Sequence, residues 1–494
     1  MHVTKYQKLF LIVFSVIIFN SCFGLASFPE YFWDEGVYVD RAINFANTFQ
    51  MYQDPNYIDH PPLGWIIPSL FFAVIGFPNS IIHLQDQDMN LQLLLLFLIP
   101  RLVAVSYIIP IAILVYKSSD RLYNNKKFAL ISLATFGLIP AFWPFRNLLL
   151  DPLMILLVLL SLFLIMPRND NVSSKSRLII SGLVFGCALL VKFSAIFFLP
   201  AMIIYVLRNK KTSYGIIWSV PLIVTLLSWV FTMSSQHDLV HIISTQSWQA
   251  GRASSLPYGI ALQILATVLP IGLIFGITGI VQLAKKKQFF ALILSVPYLG
   301  FLFRGGFVGF VHTIPILPIL SIFSGKPLYD FANRVSHIKS TQIYDRTFDL
   351  LLIVLVLSSI GITIWITSFD AGQAQREAVK YLVSTLPKNS TLVTNPGYGW
   401  VVKQFRPDIE VTDFFSFNFI KKIPDEVYFA DNTSPDKRDL SLIQTQGIYE
   451  KSCLVKTFKT VPPLIHPYSL PSDMPWNVMV HHFTTKGCHD FPKS

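Results

Sequence analysis

Charge is scarce in this 494-residue chain: Asp, Glu, Lys and Arg make up 14% of it, whereas 53% is hydrophobic. Soluble domains carry roughly 25% charged residues. The deficit extends over most of the length, and the mean hydropathy is +0.53. This composition excludes a string of ordinary soluble domains and predicts a protein that crosses a membrane several times.

The signals of several other function classes are also missing. The chain has no internal repeat, no Walker-type or GxGxxG phosphate-binding loop, and no basic stripe with interleaved aromatics that would indicate nucleic acid. Cysteine is rare and shows no metal-ligand spacing; the four are Cys22, Cys187, Cys453 and Cys488. Cys453 and Cys488 would pair if the C-terminal region faces an oxidising compartment, and the sequence leaves that pairing open.

Apolar runs of the roughly 17–25 residues that a membrane-spanning helix needs recur along the chain. They predict about eleven spans, near residues 9–27, 93–116, 128–145, 151–167, 178–193, 194–208, 215–233, 258–283, 288–303, 307–324 and 349–368. Residues 1–27 would alternatively be a cleaved signal peptide, but an acidic stretch follows at once and favours a retained helix.

The predicted fold class is mainly α, a polytopic membrane protein with a small C-terminal α/β domain. The predicted transmembrane domain is 1–369, with a first outer loop at 28–92, and the predicted soluble domain is 370–494. Within the latter, 378–402 predicts a helix, a turn and a strand, and 425–432 and 451–458 predict further strands.

Loop charge predicts a single orientation for the chain. Lys and Arg gather in alternate loops, at 116–127, 167–177, 208–211, 285–287 and 325–346. Basic loops face the cytoplasm. The net charge of +11 is therefore interpreted as a sign of orientation. With the N-terminus inside and an odd number of spans, the C-terminal domain is predicted to lie outside.

Charged side chains cluster beside the apolar segments on the predicted outer side. Asp34 and Glu35 follow the first span, and Asp59 and His60 open a short proline-rich run. The other members of this group are Arg146, Asp151, Lys192, Arg304, His312 and, less clearly, Arg101. Any one of them alone could be an interfacial anchor. Together, bases that can bind a lipid phosphate and acids that can accept a proton indicate a reaction on a lipid-linked group.

The segment WDEGVYVDRAINFA, followed by YIDHPPLGW, resembles the first outer loop of the GT-C glycosyltransferases. The nearest group is the protein O-mannosyltransferase and aminoarabinose-transferase-like family. Later segments that resemble its helices in order are IPRLVAV, FRNLLLDPLMILLVLLSLFL, GLVFGCALLVKFSAIFFLP and HTIPILPIL. The resemblance, over about residues 9–325, implies a GT-C fold and inverting transfer of a hexose or pentose. The donor would be a dolichyl- or undecaprenyl-phosphate sugar, and the acceptor a hydroxyl on the outer or lumenal face.

The resemblance also implies roles for individual residues. Asp34 would be the general base, and Glu35 would orient it or the acceptor. Asp59 and His60 would shape the donor pocket, or hold a divalent metal, although no cofactor is required. His60 stands where some relatives carry Lys, which puts a fixed positive charge there in doubt. The residues that would bind or support the donor phosphate also include Arg146, Asp151, Lys192, Arg304 and His312.

Two other function classes remain open from the sequence. A transporter would also carry intramembrane charges, but these would lie near mid-membrane and often between two similar halves. A structural or receptor protein acting through its C-terminal domain would leave the acidic loop unexplained. The sequence does not specify whether the acceptor is a protein, a glycan or a lipid. It also does not specify whether the membrane is the cell membrane or the endoplasmic reticulum.

Overall fold

The computed structural model describes residues 4–51, 59–84, 88–138, 143–166, 174–207, 212–234, 240, 244, 247, 260–303, 310–335, 341–418, 420, 422–431, 443–460 and 477–484. The chain divides into two compact units. The first unit comprises Met1–Phe23, Gln50–Ile67 and Ala104–Ile364, and the second comprises Gly24–Phe49, Pro68–Val103 and Trp365–Ser494. The second unit therefore includes Asp34 and Glu35. The domain boundary predicted between residues 369 and 370 stays a prediction.

Helices account for most of the described chain. They are α1 (Lys5–Cys22), α2 (Trp33–Thr48), α3 (Leu63–Ile75), α4 (Asn79–Ile82), α5 (Met89–Tyr123), α6 (Lys126–Gly137), α7 (Trp143–Arg146), α8 (Leu150–Ile165), α9 (Lys175–Val191), α10 (Leu199–Leu207), α11 (Thr212–Ser234), α12 (Ile260–Val268), α13 (Pro270–Lys285), α14 (Phe290–Leu302), α15 (Ile316–Val335), α16 (Thr341–Ile366), α17 (Gln373–Thr385), α18 (Pro396–Phe405), α19 (Phe414–Phe417) and α20 (Ile443–Tyr449). Two 3₁₀ helices cover Phe193–Phe198 and Phe310–Thr313.

Every apolar run predicted to span the membrane contains a helix. Among the described residues, four helical segments are long and apolar enough to cross a membrane: Lys5–Cys22, Met89–Tyr123, Thr212–Ser234 and Arg346–Ile366. Shorter apolar helices are Leu63–Ile75, Leu150–Ile165, Phe193–Leu207, Pro270–Lys285 and Phe290–Leu302. The run predicted over 258–283 is interrupted, since α12 ends and α13 begins at Pro270, which favours a helix start.

Glycines allow the helices of the first unit to approach closely. A Cβ atom on Gly182 of α9 would lie 2.0 Å from the carbonyl oxygen of Trp218 in α11. Gly279 of α13 lies equally close to α15, where a Cβ would meet the Phe323 carbonyl oxygen at 2.1 Å. Small residues serve this purpose in membrane proteins because lipid supplies no hydrophobic force that would drive helices together.

Two buried serine hydroxyl groups and a buried asparagine in the same unit form hydrogen bonds between helices. The Ser161 and Ser181 Oγ atoms lie 2.8 Å apart, which joins α8 to α9. Trp218 donates from its indole nitrogen to Ser181 at 3.1 Å, and Asn20 of α1 donates to Ser359 of α16 at 3.1 Å. Such bonds matter in an apolar environment because an unsatisfied polar group is costly there.

The second unit contains a five-stranded sheet, formed by β1 (Thr391–Thr394), β2 (Glu410–Thr412), β3 (Glu426–Asp431), β4 (Cys453–Lys459) and β5 (Asn477–Thr484). The strand order is β2-β1-β3-β5-β4. β1 is parallel to β2 and β3, whereas β5 is antiparallel to β3 and β4. The predicted α/β class of the C-terminal region is therefore confirmed.

The helix, turn and strand predicted within 378–402 are present, and the strand is β1, which ends at Thr394. Residues 396–405 form α18 instead of extended chain, because Asn395 caps the helix by accepting from the Gly397 amide and Pro396 occupies its first turn. Cys453 is disulfide-bonded, and Cys22 and Cys187 are free thiols. Cys488 lies outside the described residues.

Candidate active site

Helix α2 carries the two acids of the predicted catalytic pair in its first turn. Asp34 and Glu35 follow Trp33 at the start of the helix, where the partial positive charge of a helix N-terminus favours carboxylates. Glu35 is buried, with 4% exposure, whereas Asp34 is only half-buried. The two neighbouring acids therefore occupy different environments.

Arg101 of α5 binds both carboxylate oxygens of Glu35. Its Nε and Nη2 atoms donate to Oε1 and Oε2, each at 3.0 Å, and the guanidinium is fully buried. The remaining donors reach the carbonyl oxygens of Leu25, Pro29 and Glu30 at 2.8–3.1 Å. Such a bidentate pair is strong and directional. Arg101, which the sequence adds to the charged cluster, thus holds Glu35 in place within the second unit.

Aromatic rings and a third acid surround this ion pair. The Arg101 guanidinium lies 4.7 Å from the centroid of the Tyr31 ring, which stacks on Phe97. Burial raises the pKa of Glu30 to about 7, against the opposing effect of the nearby Arg101 charge. Burial also raises the pKa of Tyr31. A carboxyl whose pKa burial raises to about 7 therefore lies four residues before Asp34.

The first unit holds the second predicted acidic segment. Asp59 is buried, with 6% exposure, and His60 is half-buried. The fully buried indole of Trp65 donates to the Met51 carbonyl oxygen at 2.9 Å, which ties the segment to the chain that precedes it. Pro61 and Pro62, both buried, stiffen the turn into α3.

Gly64 brings this segment against two helix ends. A Cβ on Gly64 would lie 2.2 Å from Leu150 Cδ2 and 3.5 Å from Val191 Cγ1. The next residues along the chain are Asp151 and Lys192. The contact therefore places the 59–63 motif beside a second pair of predicted site residues.

Asp151 and Lys192 form a buried ion pair. Lys192 Nζ donates to Asp151 Oδ2 at 2.7 Å, and both residues are less than a tenth exposed. Lys192 follows the last residue of α9 in extended conformation, so its side chain leaves the helix end. An ammonium group has three donors, and Asp151 takes one.

Tyr298 of α14 was not identified from the sequence because it lies within an apolar run without charge. It is fully buried, donates to the His312 carbonyl oxygen at 2.9 Å and interacts electrostatically with Asp151. The His312 ring is half-buried and lies 6.0 Å from the Phe301 ring. Tyr298 thus links two predicted site residues of the first unit.

Arg146 binds backbone carbonyl oxygens at the end of α1. It is fully buried, and its Nη2 donates to the Asn20 and Phe23 carbonyl oxygens at 2.6 and 2.8 Å. These carbonyls close the C-terminal end of α1, where a positive charge is favourable. Its role toward a donor phosphate stays a prediction. Arg304 lies outside the described residues.

A divalent metal at Asp59 and His60 also stays a prediction. Within the described ranges, no group of three or more His, Cys, Asp or Glu side chains is arranged to hold a metal ion. Two adjacent ligands make an incomplete set.

Residues 59–235 match the family model described as dolichyl-phosphate-mannose-protein mannosyltransferase. No curated protein sequence is significantly similar to the chain. Among solved structures, ArnT from Cupriavidus metallidurans bound to undecaprenyl phosphate is similar, with a TM-score of 0.64 at 12% identity. That match covers 97% of this chain and 98% of the other.

An oligosaccharyltransferase from Archaeoglobus fulgidus is similar as well, with a TM-score of 0.57 at 10% identity over 83% of this chain and 64% of the other. The same organism's AglB, in complex with an inhibitory peptide and a dolichol-phosphate, gives 0.51 at 9% identity, over 82% and 64% of the two chains. The chain is thus an integral membrane protein with the GT-C fold, and the partial family match confirms the resemblance to GT-C membrane glycosyltransferases.

Proposed function

We propose that this protein transfers a sugar from a polyprenyl-phosphate donor to an acceptor hydroxyl, with inversion at the sugar carbon. The family match and the GT-C fold support a lipid-phosphate-sugar transferase. The observation that carries the assignment within the site is the difference in burial between the two acids on α2. Glu35 is buried with both oxygens bound by Arg101, and Asp34 is half-buried with access to solvent.

Asp34 is the general base of the proposed reaction. It accepts the proton of the acceptor hydroxyl while the acceptor oxygen attacks C1 of the sugar from the face opposite the phosphate. The new C1–O bond forms as the C1–O bond to phosphate breaks, and polyprenyl phosphate leaves with the bonding electrons. Glu35 positions the first turn of α2 through its ion pair with Arg101.

Cations of the first unit stabilise the charge of the departing phosphate. Lys192 has two donors beyond the one that Asp151 accepts. His60 follows the buried Asp59 in the segment that Gly64 packs against α8 and α9. Preorganised donors of this kind are most effective where charge develops in the transition state. His312, Arg146 and Arg304 are the further candidates for this role.

The basic loops support an orientation with the N-terminus in the cytoplasm and the C-terminal region outside or lumenal. The donor sugar and the acceptor are proposed only as classes: a hexose or pentose, and a hydroxyl on a protein, glycan or lipid.

The test uses the purified protein in lipid, with a panel of radiolabelled polyprenyl-phosphate sugars and a membrane extract as acceptor source. Asp34→Asn should lower turnover by about 10²–10⁴-fold, the usual contribution of a general base, while donor binding is retained. Asp40→Asn is the matched control, since Asp40 lies on the same helix and pairs with the exposed Lys403 at 3.2 Å.

Full turnover by Asp34→Asn would move the base to another acid. A wild-type protein that transfers no sugar from any donor, but takes substrate up into vesicles, would favour a transporter instead.

A further inference from the structure

The C-terminal fold of the second unit contacts the acidic helix at the residues on either side of Asp34. Trp33 packs against the core of that fold, which consists of Val393, Phe414, Phe417, Val427, Phe429, Ile448 and Tyr449. This core lies between the sheet and the helices that cover it. The residue directly before Asp34 is therefore anchored in a fold whose core begins at Val393, far along the chain.

Gln375 of α17 binds the backbone of the same segment. Its Oε1 accepts from the Tyr31 amide at 2.8 Å, and its Nε2 donates to the Tyr31 carbonyl oxygen at 2.9 Å. The side chain is 3% exposed, so both bonds are shielded from water. Arg376, the next residue, donates to the Tyr31 hydroxyl at 2.9 Å.

Two glycines set the distance between α2 and α18. A Cβ on Gly36 would lie 1.9 Å from the Pro396 carbonyl oxygen, and one on Gly397 would lie 2.6 Å from the Tyr31 carbonyl oxygen. Both contacts are with backbone atoms, which cannot move aside as a flexible side chain can. Residues 31, 33 and 36 are thus each fixed by the C-terminal fold.

Helix α2 lacks the local feature that would otherwise set its start. Its N-cap residue, Phe32, makes no capping hydrogen bond through its side chain. Ser, Thr, Asp or Asn at that position would fix the first turn locally. The Gln375 amide, bound to the backbone one residue earlier, supplies such a restraint from elsewhere in the fold.

We propose that the C-terminal fold is a positioning element for the general base, and that Gln375 is its principal positioning residue. The inference rests on the proposed function of Asp34. A catalytic group must be held within about 0.5 Å of its productive place, and a displacement of about 1 Å can cost 100-fold in rate. Gln375 touches neither substrate nor reacting atoms, and it acts through the backbone of α2.

The first test compares Gln375→Ala with Gln373→Ala on the same helix. Gln373 is exposed, and its side chain bonds to Glu377. Gln375→Ala should lower kcat by about 10- to 100-fold. The affinity and stoichiometry of donor binding should not change, because the residues proposed to bind the donor phosphate belong to the first unit. Gln373→Ala should match the wild type in both measurements.

The pH dependence of kcat in Gln375→Glu distinguishes positioning through these hydrogen bonds from a purely structural role. A protonated Glu restores both the donor and the acceptor that Tyr31 needs, whereas the carboxylate offers acceptors only. The kcat of this variant, divided by that of the wild type at each pH, should therefore rise as pH falls. A ratio that does not change with pH would contradict the proposed hydrogen bonds.

Gly397→Ala tests the same idea without removing a polar group, against Gly447→Ala, whose added Cβ would meet nothing within 4 Å. Only Gly397→Ala should reduce kcat with donor binding retained. If the wild type transfers sugar and both Gln375→Ala and Gly397→Ala keep its kcat, the inference is wrong and the proposed function stands. If Asp34→Asn is fully active, Asp34 is not the base and the inference loses its premise. A wild type that transfers no sugar from any donor would contradict the proposed function itself.

Discussion

At the scale of single residues, the Arg101 guanidinium organises the start of the acidic helix. One side chain binds a carboxylate and three backbone carbonyls in a region shielded from water. Breaking a buried ion pair is costly because the remaining charge loses its compensation, whereas replacing both partners can cost much less. Comparing the double variant with the single variant therefore tests the ion pair more directly than a single substitution does.

Arg101→Met should lower the free energy of unfolding by about 3–5 kcal/mol, since it leaves the Glu35 carboxylate buried without its cation. Adding Glu35→Gln should recover part of that loss, because the buried charge is then gone. Equilibrium unfolding in detergent measures both. Arg334→Met, at an exposed position on α15, should change stability by less than about 0.5 kcal/mol. If the changes in unfolding free energy from the two substitutions simply add, Arg101 and Glu35 are not coupled.

Glu30 predicts a pH dependence of stability. Its pKa in the folded protein, about 7, lies above its ordinary value of 4.5 because burial disfavours the charged form. The folded state thus binds a proton more tightly than the unfolded state, and its contribution is fully present below pH 4.5 and lost as pH rises towards 7. Thermal unfolding across this range should show falling stability in the wild type.

Glu30→Gln should remove that part of the dependence, since the amide stays neutral throughout. Glu377→Gln, at an exposed position on α17, should leave the slope of the wild type intact. An unchanged slope in Glu30→Gln would assign the dependence to other groups.

At the scale of elements, contact between backbones decides how the helices of the first unit pack. Gly182 of α9 and Gly279 of α13 each lie where a side chain would meet the carbonyl oxygen of a neighbouring helix. Packing of this kind needs both helices to move apart if the glycine is replaced. The local sequence shows the glycine but not the helix that it faces.

Gly182→Ala should destabilise the protein by about 1–3 kcal/mol, the range for overpacking, because its Cβ would lie 2.0 Å from the Trp218 carbonyl oxygen. Gly361→Ala on α16 is the control: its Cβ would meet nothing within 4 Å, and Ala favours helix. Thermal unfolding in the same detergent should separate the two variants. Equal stability would show that α9 and α11 can move apart at little cost.

At the scale of the whole molecule, the proposed orientation predicts which ends can be reached from which side. In sealed vesicles of known sidedness, a tag after Ser494 should be accessible only from the outer or lumenal side. A tag before Met1 should be accessible only from the cytoplasmic side. The measurement is protection from an added protease, with and without detergent. Both tags on one side would require an even number of spans.

The sequence by itself determined the membrane class, the positions of the apolar helices, and the two motifs with acidic residues at 34–35 and 59–60. These follow from local properties, because a span must be apolar over its own length and satisfies its backbone internally. The resemblance to a known family added the prediction of a GT-C fold. The strand predicted within 378–402 is shorter than its apolar residues suggest, because Asn395 and Pro396 start α18 directly after it.

Only the tertiary structure decided which of two adjacent acids is buried against Arg101 and which keeps access to solvent. Arg101 lies 66 positions from Glu35, and Gln375 lies 344 positions from Tyr31. Hydrogen bonds and ion pairs act over a few ångströms in space, whatever the separation along the chain. Such partners are chosen by packing, which brings distant side chains together, and no local pattern around residue 34 contains that information.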